Sequence, residues 1–219
     1  MTTATGVYGG MAADVRQANR RRRLLDESFD LLGTEGWQGT SVRAICRRAE
    51  LNPRYFYESF EHLDDLLLAV FDEAAAELAR STIVAYDRAP PDAHAKAEAS
   101  IGAFVRHATE DPRRARVLLV EALGNEALAK RRLAAMHAWA GLLASYAREF
   151  YGEPGDTDPI SEVTGALLVG GVTELLIAWL DGRLSIDLDD LIADVAELFV
   201  ITGEGAVGIA RGRARTNGR

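Results

Sequence analysis

The chain has 219 residues, 48% hydrophobic and 26% charged, close to the globular average. A chain of this length buries a core without covalent staples, so disorder as the main state, collagen-like structure and low complexity are excluded. Cys46 is the only cysteine, which excludes an intramolecular disulfide and a Cys-cluster zinc site and fits a reducing compartment.

The net charge of −8 argues against a nucleic-acid binder, because phosphate neutralisation dominates such affinity. Its distribution reverses that argument. Residues 16–60 hold nine arginines against six acids, whereas residues 61–219 carry a surplus of ten acids. A basic first quarter on an acidic body suggests a nucleic-acid module joined to a part with another task. The run Arg20–Arg23 reads equally as a solvated helix face. No apolar run approaches the ~18–20 residues that span a bilayer. The segments Ala166–Val172 and Leu175–Leu180 are interrupted by Gly170, Gly171, Thr173 and Glu174. Residues Met1–Ala13 lack the basic region and apolar core of a secretory signal. A cytoplasmic protein with no membrane partner is expected.

In chain order, residues 1–15 show no sustained period and are expected to be flexible. From about Arg16, Leu25, Phe29 and Leu32 recur at i, i+4 and i+7, with Leu24 and Leu31 widening the stripe. Gly33 and Gly36 end this helix, and Trp37 opens a short connection. Thr40 is the expected N-cap of a helix to Ala49, with Val42, Ile45, Cys46 and Ala49 inward and Arg43, Arg47 and Arg48 outward. Glu50-Leu51 makes a tight turn. Asn52-Pro53, an N-cap followed by proline at the first helical position, opens a helix to about Phe60. There Phe56 and Phe60 face inward, while Arg54, Tyr55 and Tyr57 face outward or lie along the rim. A longer helix starts near Leu63, its Asp64 and Asp65 suiting the helix dipole, and fades near Tyr86 before Pro90-Pro91. Further helices are expected over 93–109, 113–123, 126–151, 160–182 and 187–211. Gly152, Pro154, Gly155 and Pro159 form a loop, and residues 212–219 form a basic, flexible tail. Nothing alternates at period two, so the predicted fold is all-α with about nine helices.

Two short helices across a tight turn, apolar inside and basic or aromatic outside, spell a helix-turn-helix over residues 16–62. The hydroxyls of Thr40 and Ser41, and Arg43, are placed for phosphate oxygens. Asn52 caps the second helix. Arg54 suits bidentate bonding to guanine O6/N7 in the major groove. Tyr55 and Tyr57 offer hydroxyls to phosphate and rings to thymine methyls. The three consecutive aromatics also read as plain core, but at helical spacing only Phe56 and Phe60 share a face.

The stretch from Arg20 to Glu73 resembles the N-terminal region of the TetR family of transcriptional regulators. The matching pieces are the apolar helix ending in Gly36 and Trp37, the Thr40-Ser41-Val42 start with Ile45 and Ala49, Leu51, the Tyr57-x-x-Phe60 pair and the Leu66-Leu67 run after an acidic turn. The sequence departs from the family at Leu63, where a phosphate-contacting lysine is frequent, so the resemblance implies that backbone N–H groups or His62 would make that contact, and at Glu50, where a turn glycine is usual. The resemblance implies three N-terminal DNA-binding helices and about six more, over residues 63–211, for effector binding and dimerisation.

The same resemblance implies a homodimer on a palindromic double-stranded operator, with a repressor released by a small-molecule effector. An interface through the last two helices would use Leu168, Gly171, Leu175, Trp179, Val195 and Phe199, its glycines permitting close approach. An effector, apolar or aromatic by the composition of the middle helices, would meet Phe104, Met136, Trp139, Tyr146 and Phe150, with His107, Glu121, His137 and Glu174 as orienting polar groups. The same residues also serve as ordinary core. Phosphate-binding glycine loops, the serine elbow and the zinc-protease motif are all missing, and the four histidines show no metal-ligand spacing. No catalytic residue, cofactor or metal is expected, and the protein is read as not an enzyme. Two rivals remain open: an activator or ligand-independent regulator of the same fold, and a helical ligand-binding protein or enzyme that ignores DNA. Cys46, at an inward helical position, is expected to be a buried small residue rather than a redox sensor.

Overall fold

The computed structural model describes residues 6–152 and 159–217, and among them every regular element is helical. The helices are α1 (Gly6–Thr34), α2 (Gly36–Gly39), α3 (Val42–Arg48), α4 (Pro53–Tyr57), α5 (Leu63–Arg88), α6 (Ala93–Glu110), α7 (Pro112–Ala115), α8 (Glu126–Tyr151), α9 (Ile160–Leu180) and α10 (Leu188–Asn217). Between α7 and α8 the chain widens to π-helical winding over Arg116–Val120 and tightens to a 3₁₀ turn over Glu121–Leu123.

Two compact units emerge. The first comprises the described residues up to Ala74 together with Pro112–Ala129. The second comprises Ala75–Asp111 together with the described residues from Lys130 onward. The boundary expected at residue 62 thus differs from the division at 74/75, inside α5, and residues 112–129 group with the helix-turn-helix.

The first unit is organised by the α1 stripe. Leu24, Leu25, Leu31 and Leu32 are buried with Ile45, Phe56, Leu66 and Leu67. Ser28, also buried, donates its hydroxyl to the Leu24 carbonyl at 2.6 Å, which satisfies its polar atom inside the helix. The connection after α1 turns on Gly36, whose φ of +76° is a left-handed conformation that glycine adopts without steric cost. Glu121 closes over this turn. Its carboxylate accepts the Trp37 N–H at 2.8 Å and Arg116 Nε at 2.8 Å, and Arg116 also donates to the Thr34 carbonyl at 2.8 Å.

In the second unit α6 and α9 pack against α10. Ile101 and Val105 of α6 are buried, as are Leu191, Ile192, Val195 and Ala196 of α10 and Leu176 of α9. Asp92 caps α6, accepting the Ala95 N–H at 2.9 Å. Gly165 of α9 lies so near α8 that a Cβ there would stand 2.5 Å from the Ala140 carbonyl oxygen. Trp179 Nε1 donates to the Ile186 carbonyl at 2.9 Å and holds the connection into α10.

Several boundaries differ from expectation for local reasons. Helix α1 starts at Gly6, about ten residues early, and α10 runs to Asn217 rather than 211. Neither extension carries an apolar stripe, and both contain glycine, so neither periodicity nor propensity marks them. Residues 36–39 form a short helix, and the stretch 113–123 is three different windings. Helix α4 ends at Tyr57 rather than Phe60, where the chain turns. Pro154 and Gly155 of the expected loop, residues 1–5 of the expected flexible start, and Gly218 and Arg219 of the tail lie outside the described residues. The expectation that no segment reaches membrane-spanning length is corrected. Ile160–Leu180 is a 21-residue helix long and apolar enough to cross a bilayer by length and composition, the glycines and threonines between its apolar runs being carried within one continuous helix.

Candidate functional site

The helix-turn-helix is built from two caps and one turn. Ser41, not Thr40, caps α3, accepting the Ala44 N–H at 3.2 Å. Thr40 is buried and donates its hydroxyl to the Gly36 carbonyl at 2.8 Å, so its expected place at the phosphate surface is corrected. After α3 the chain reverses at Glu50, with φ of +53°, a left-handed residue without glycine's freedom. Asn52 then caps α4, its side chain accepting the Arg54 N–H at 2.9 Å, with Pro53 at the first position.

Phe56 anchors this short helix. It is 0% exposed, its ring centroid lies 5.9 Å from that of Phe60, and both are buried. With that face fixed inward, the residues on either side are forced outward. Tyr57 is 64% exposed and Tyr55 36%, and the Arg54 side chain stands in solvent. The plain-core reading of Tyr55 and Tyr57 therefore falls. Ser41, Arg43, Asn52 and His62 are exposed as well. The His62 backbone N–H donates to Asp65 at 2.8 Å, so it is committed to the start of α5, and only the ring is left to meet a ligand.

The arginine run near the start of the basic segment braces this surface. Arg20 lies over the Tyr55 ring, 4.4 Å from its centroid, and pairs with Glu58 at 3.3 Å. Glu58 also meets Arg54 Nε at 3.3 Å, so one carboxylate orients two guanidinium groups beside the exposed tyrosines. Arg21 lies over the Phe60 ring, and Arg22 bonds Asp26 and Glu73. Hydrogen bonding to Asp26, and then to Glu73, strengthens the protonation of Arg22 against the opposing effect of its partial burial. Arg47 is exposed one turn along from Arg43 and extends the basic face. It was legible in the outward arginine pattern of α3. Arg48 instead turns back to pair with Glu27, Asp30 and Glu35. Cys46 is 2% exposed, and burial pushes its thiol pKa up, which disfavours the reactive thiolate.

In the second unit, two aromatic pairs gather residues expected to meet an effector. Phe104 of α6 and Trp139 of α8 meet edge to face at 6.1 Å between centroids. Tyr146 of α8 stacks on Tyr86 of α5 at 4.2 Å, while Lys96 of α6 stands 4.1 Å from the Tyr86 ring centroid and donates to its carbonyl at 3.0 Å. Burial, with nearby carboxylates, pushes both tyrosine hydroxyl pKa values up. Met136 and His107 are half-buried on the same two helices, and Phe150 is exposed. The other three polar candidates are corrected. Glu121 belongs to the first unit and holds the Gly36 turn. His137 is exposed on the outer side of α8, and Glu174 is exposed and pairs with Arg183 at 3.9 Å. Tyr86 and Lys96 were missed because Tyr86 sits where the apolar stripe of its helix fades and Lys96 lies in no apolar run.

The dimer candidates divide too. Val195 is buried within its own chain, and Trp179 is half-buried and hydrogen-bonded, so neither forms a free surface. Leu168, Leu175 and Phe199 are half-buried and Gly171 is exposed. The freely exposed apolar groups are Val163 and Leu167 of α9 and Leu198, Ile201 and Ile209 of α10. Gly165 packs against Ala140 of the same chain, whereas Gly170 and Gly171 face open space.

Residues 24–70 match the family described as bacterial regulatory proteins, tetR family. The chain is 35% identical over 65 residues to a protein of Haemophilus influenzae described as an uncharacterized HTH-type transcriptional regulator, a match covering 29% of this chain and 32% of that relative. The chain thus spans about a third of that relative's length. Solved structures share the fold. The fatty acid degradation regulator FadR of Bacillus halodurans superposes with a TM-score of 0.68 at 17% identity, over 82% of this chain and 94% of that one. FadR of Bacillus subtilis, solved with stearoyl-CoA, gives 0.68 at 17% identity over 82% and 97%. A TetR-like transcriptional regulator of Rhodococcus sp. RHA1 gives 0.62 at 19% identity over 81% and 93%. Residues 24–70 thus resemble the bacterial regulatory proteins of the tetR family, and the chain shares the fold of the solved regulators.

Proposed function

We propose that the protein is a homodimeric transcriptional repressor that binds a palindromic operator and releases it when a small molecule occupies the second unit. The observation that carries the reading is α4. Its caps and its buried Phe56 leave Arg54, Tyr55 and Tyr57 projecting from one short, rigid element. That is the surface a major groove requires, with a fork-shaped donor for guanine and amphipathic rings for phosphate and thymine methyl. A cytoplasmic, non-enzymatic regulator follows from this reading.

Dimerisation is supported by the exposed apolar faces of α9 and α10. Val163 and Leu167 of α9 and Leu198, Ile201 and Ile209 of α10 are large apolar groups left exposed at helical spacing, as a partner surface would require. A two-fold dimer would present two recognition helices to two half-sites. For the effector, the aromatic pairs of the second unit supply apolar surface, and a fold neighbour was solved with stearoyl-CoA. Release is a coupling free energy, so an effector that weakens operator binding is itself bound more weakly in the presence of the operator, by the same factor.

The test is fluorescence anisotropy with DNA from upstream of the protein's own coding region, at several salt concentrations, against a scrambled duplex. Selective binding with a steep salt dependence supports the reading. Arg54→Ala is expected to lose ~1–3 kcal/mol on the specific duplex alone. Equal loss on both duplexes, or none, removes Arg54 from base recognition.

A further inference from the structure

Helix α8 carries Arg132, Met136, Trp139, Leu143 and Tyr146 at i, i+4, i+7, i+11 and i+14, which places them on one face. All five are half-buried rather than sealed in a core. Aromatic partners from other helices meet this stripe at two points, Phe104 at Trp139 and Tyr86 at Tyr146. The face is therefore lined by large apolar groups that water still reaches, the character of a ligand site rather than a close-packed interior.

Arg132 stands at one end of the stripe, and its Nε is buried with no hydrogen-bond partner among the described residues. Two other arginines on the helices of this unit have carboxylate partners. Arg106 reaches Asp189 at 2.8 Å and Arg148 reaches Glu162 at 2.7 Å. A guanidinium stays charged at any physiological pH, so it cannot escape burial by losing a proton. An unsatisfied, partly desolvated donor of this kind is costly unless an acceptor completes it.

We propose that Arg132 is the counter-ion for the head group of an amphipathic anion, a carboxylate or phosphate monoester on an extended aliphatic chain. The chain would lie along Met136, Trp139 and Leu143. At the helical rise, Trp139 lies ~10 Å and Tyr146 ~21 Å along the axis from Arg132, so the stripe suits a long, thin body better than a compact ring. A neutral lipid would fill the apolar stripe but leave the guanidinium unmatched. This assignment rests on the proposal that the second unit holds the effector.

The experiment uses the full chain and calorimetric titration with octanoate, octyl phosphate and octanol, repeated with the dodecyl series. Both anions, or one of them, are expected to bind at least ~10-fold tighter than the alcohol of equal length, and the difference between the two identifies the head group. Arg132→Gln should abolish that preference while leaving the alcohol's affinity and the helical circular dichroism unchanged, and Arg132→Lys should restore part of it. The proposal is overturned if the alcohol matches the anions, if the preference survives Arg132→Gln, or if no compound of either length binds. The anisotropy assay with each compound separates the two readings. Anion binding through Arg132 without any change in operator affinity keeps the anchor and sinks effector release. Release by a compound that ignores Arg132 does the reverse.

Discussion

Gly36→Ala tests how the first unit holds its opening turn. Alanine at φ +76° must adopt a left-handed conformation, which costs ~1–2 kcal/mol. Its Cβ would stand 2.9 and 3.0 Å from the two Glu121 carboxylate oxygens and 3.1 Å from Arg116 Nη2. Those atoms cannot swing away freely, because Glu121 is held by the Trp37 N–H and by Arg116. Displacing the carboxylate weakens a charge-assisted bond, and since its other bond survives the loss is ~1–2 kcal/mol. Alanine recovers ~0.4–1 kcal/mol by restricting the unfolded chain. The net expectation is a loss of about 2–3 kcal/mol. Hydrogen exchange of the α1–α4 amides reads this for the first unit alone, which whole-chain denaturation does not. In a Glu121→Ala background the same substitution should cost only the backbone share, ~1–2 kcal/mol before the unfolded-state gain. A loss under ~1 kcal/mol, or an equal loss in both backgrounds, would refute the clamp. Gly141→Ala, exposed in α8 with nothing within 4 Å of the added carbon, serves as the control and should stabilise by ~0.5–1 kcal/mol.

Three further outcomes are expected. Phe56→Ala should destabilise the first unit by ~3–5 kcal/mol, read by the same exchange experiment, and a loss below ~2 kcal/mol would mean that Phe56 is not the anchor of α4. If α9 forms the proposed dimer interface, Leu167→Glu on its exposed face should raise the dimer dissociation constant by ~100-fold or more in sedimentation velocity, since it would place an unpaired charge among apolar groups. An unchanged constant would move the interface elsewhere. Cys46 holds its proton more tightly when folded than unfolded. Its contribution is therefore complete below the ordinary thiol pKa near 9.0 and is lost as pH rises from there toward the folded value. Cys46→Ala should remove the part of the alkaline stability decline that begins there, before the tyrosines titrate, and a decline of identical shape would show that the thiol plays no part.

The sequence by itself determined the helical class, the helix-turn-helix and the orientation of α4. It did so because local chemistry dominates there. Asn52-Pro53 specifies a helix start whatever surrounds it, and the four-residue spacing of Phe56 and Phe60 leaves Tyr55 and Tyr57 no inward place. Position along the chain is a poor guide to contacts that span many residues. Nothing local in Glu121 says that it folds onto a glycine 85 positions earlier, so it read as an effector contact and proved to be a clamp on the first unit. Nearer in sequence, Thr40 and Ser41 both suit a cap, and in the structure Ser41 takes it while the Thr40 hydroxyl donates to the Gly36 carbonyl. The last two helices show the same limit. Val195 and Leu198 are both apolar residues of α10, yet packing within the chain buries one and leaves the other exposed. Periodicity reports which residues share a face, whereas the tertiary arrangement decides what that face meets.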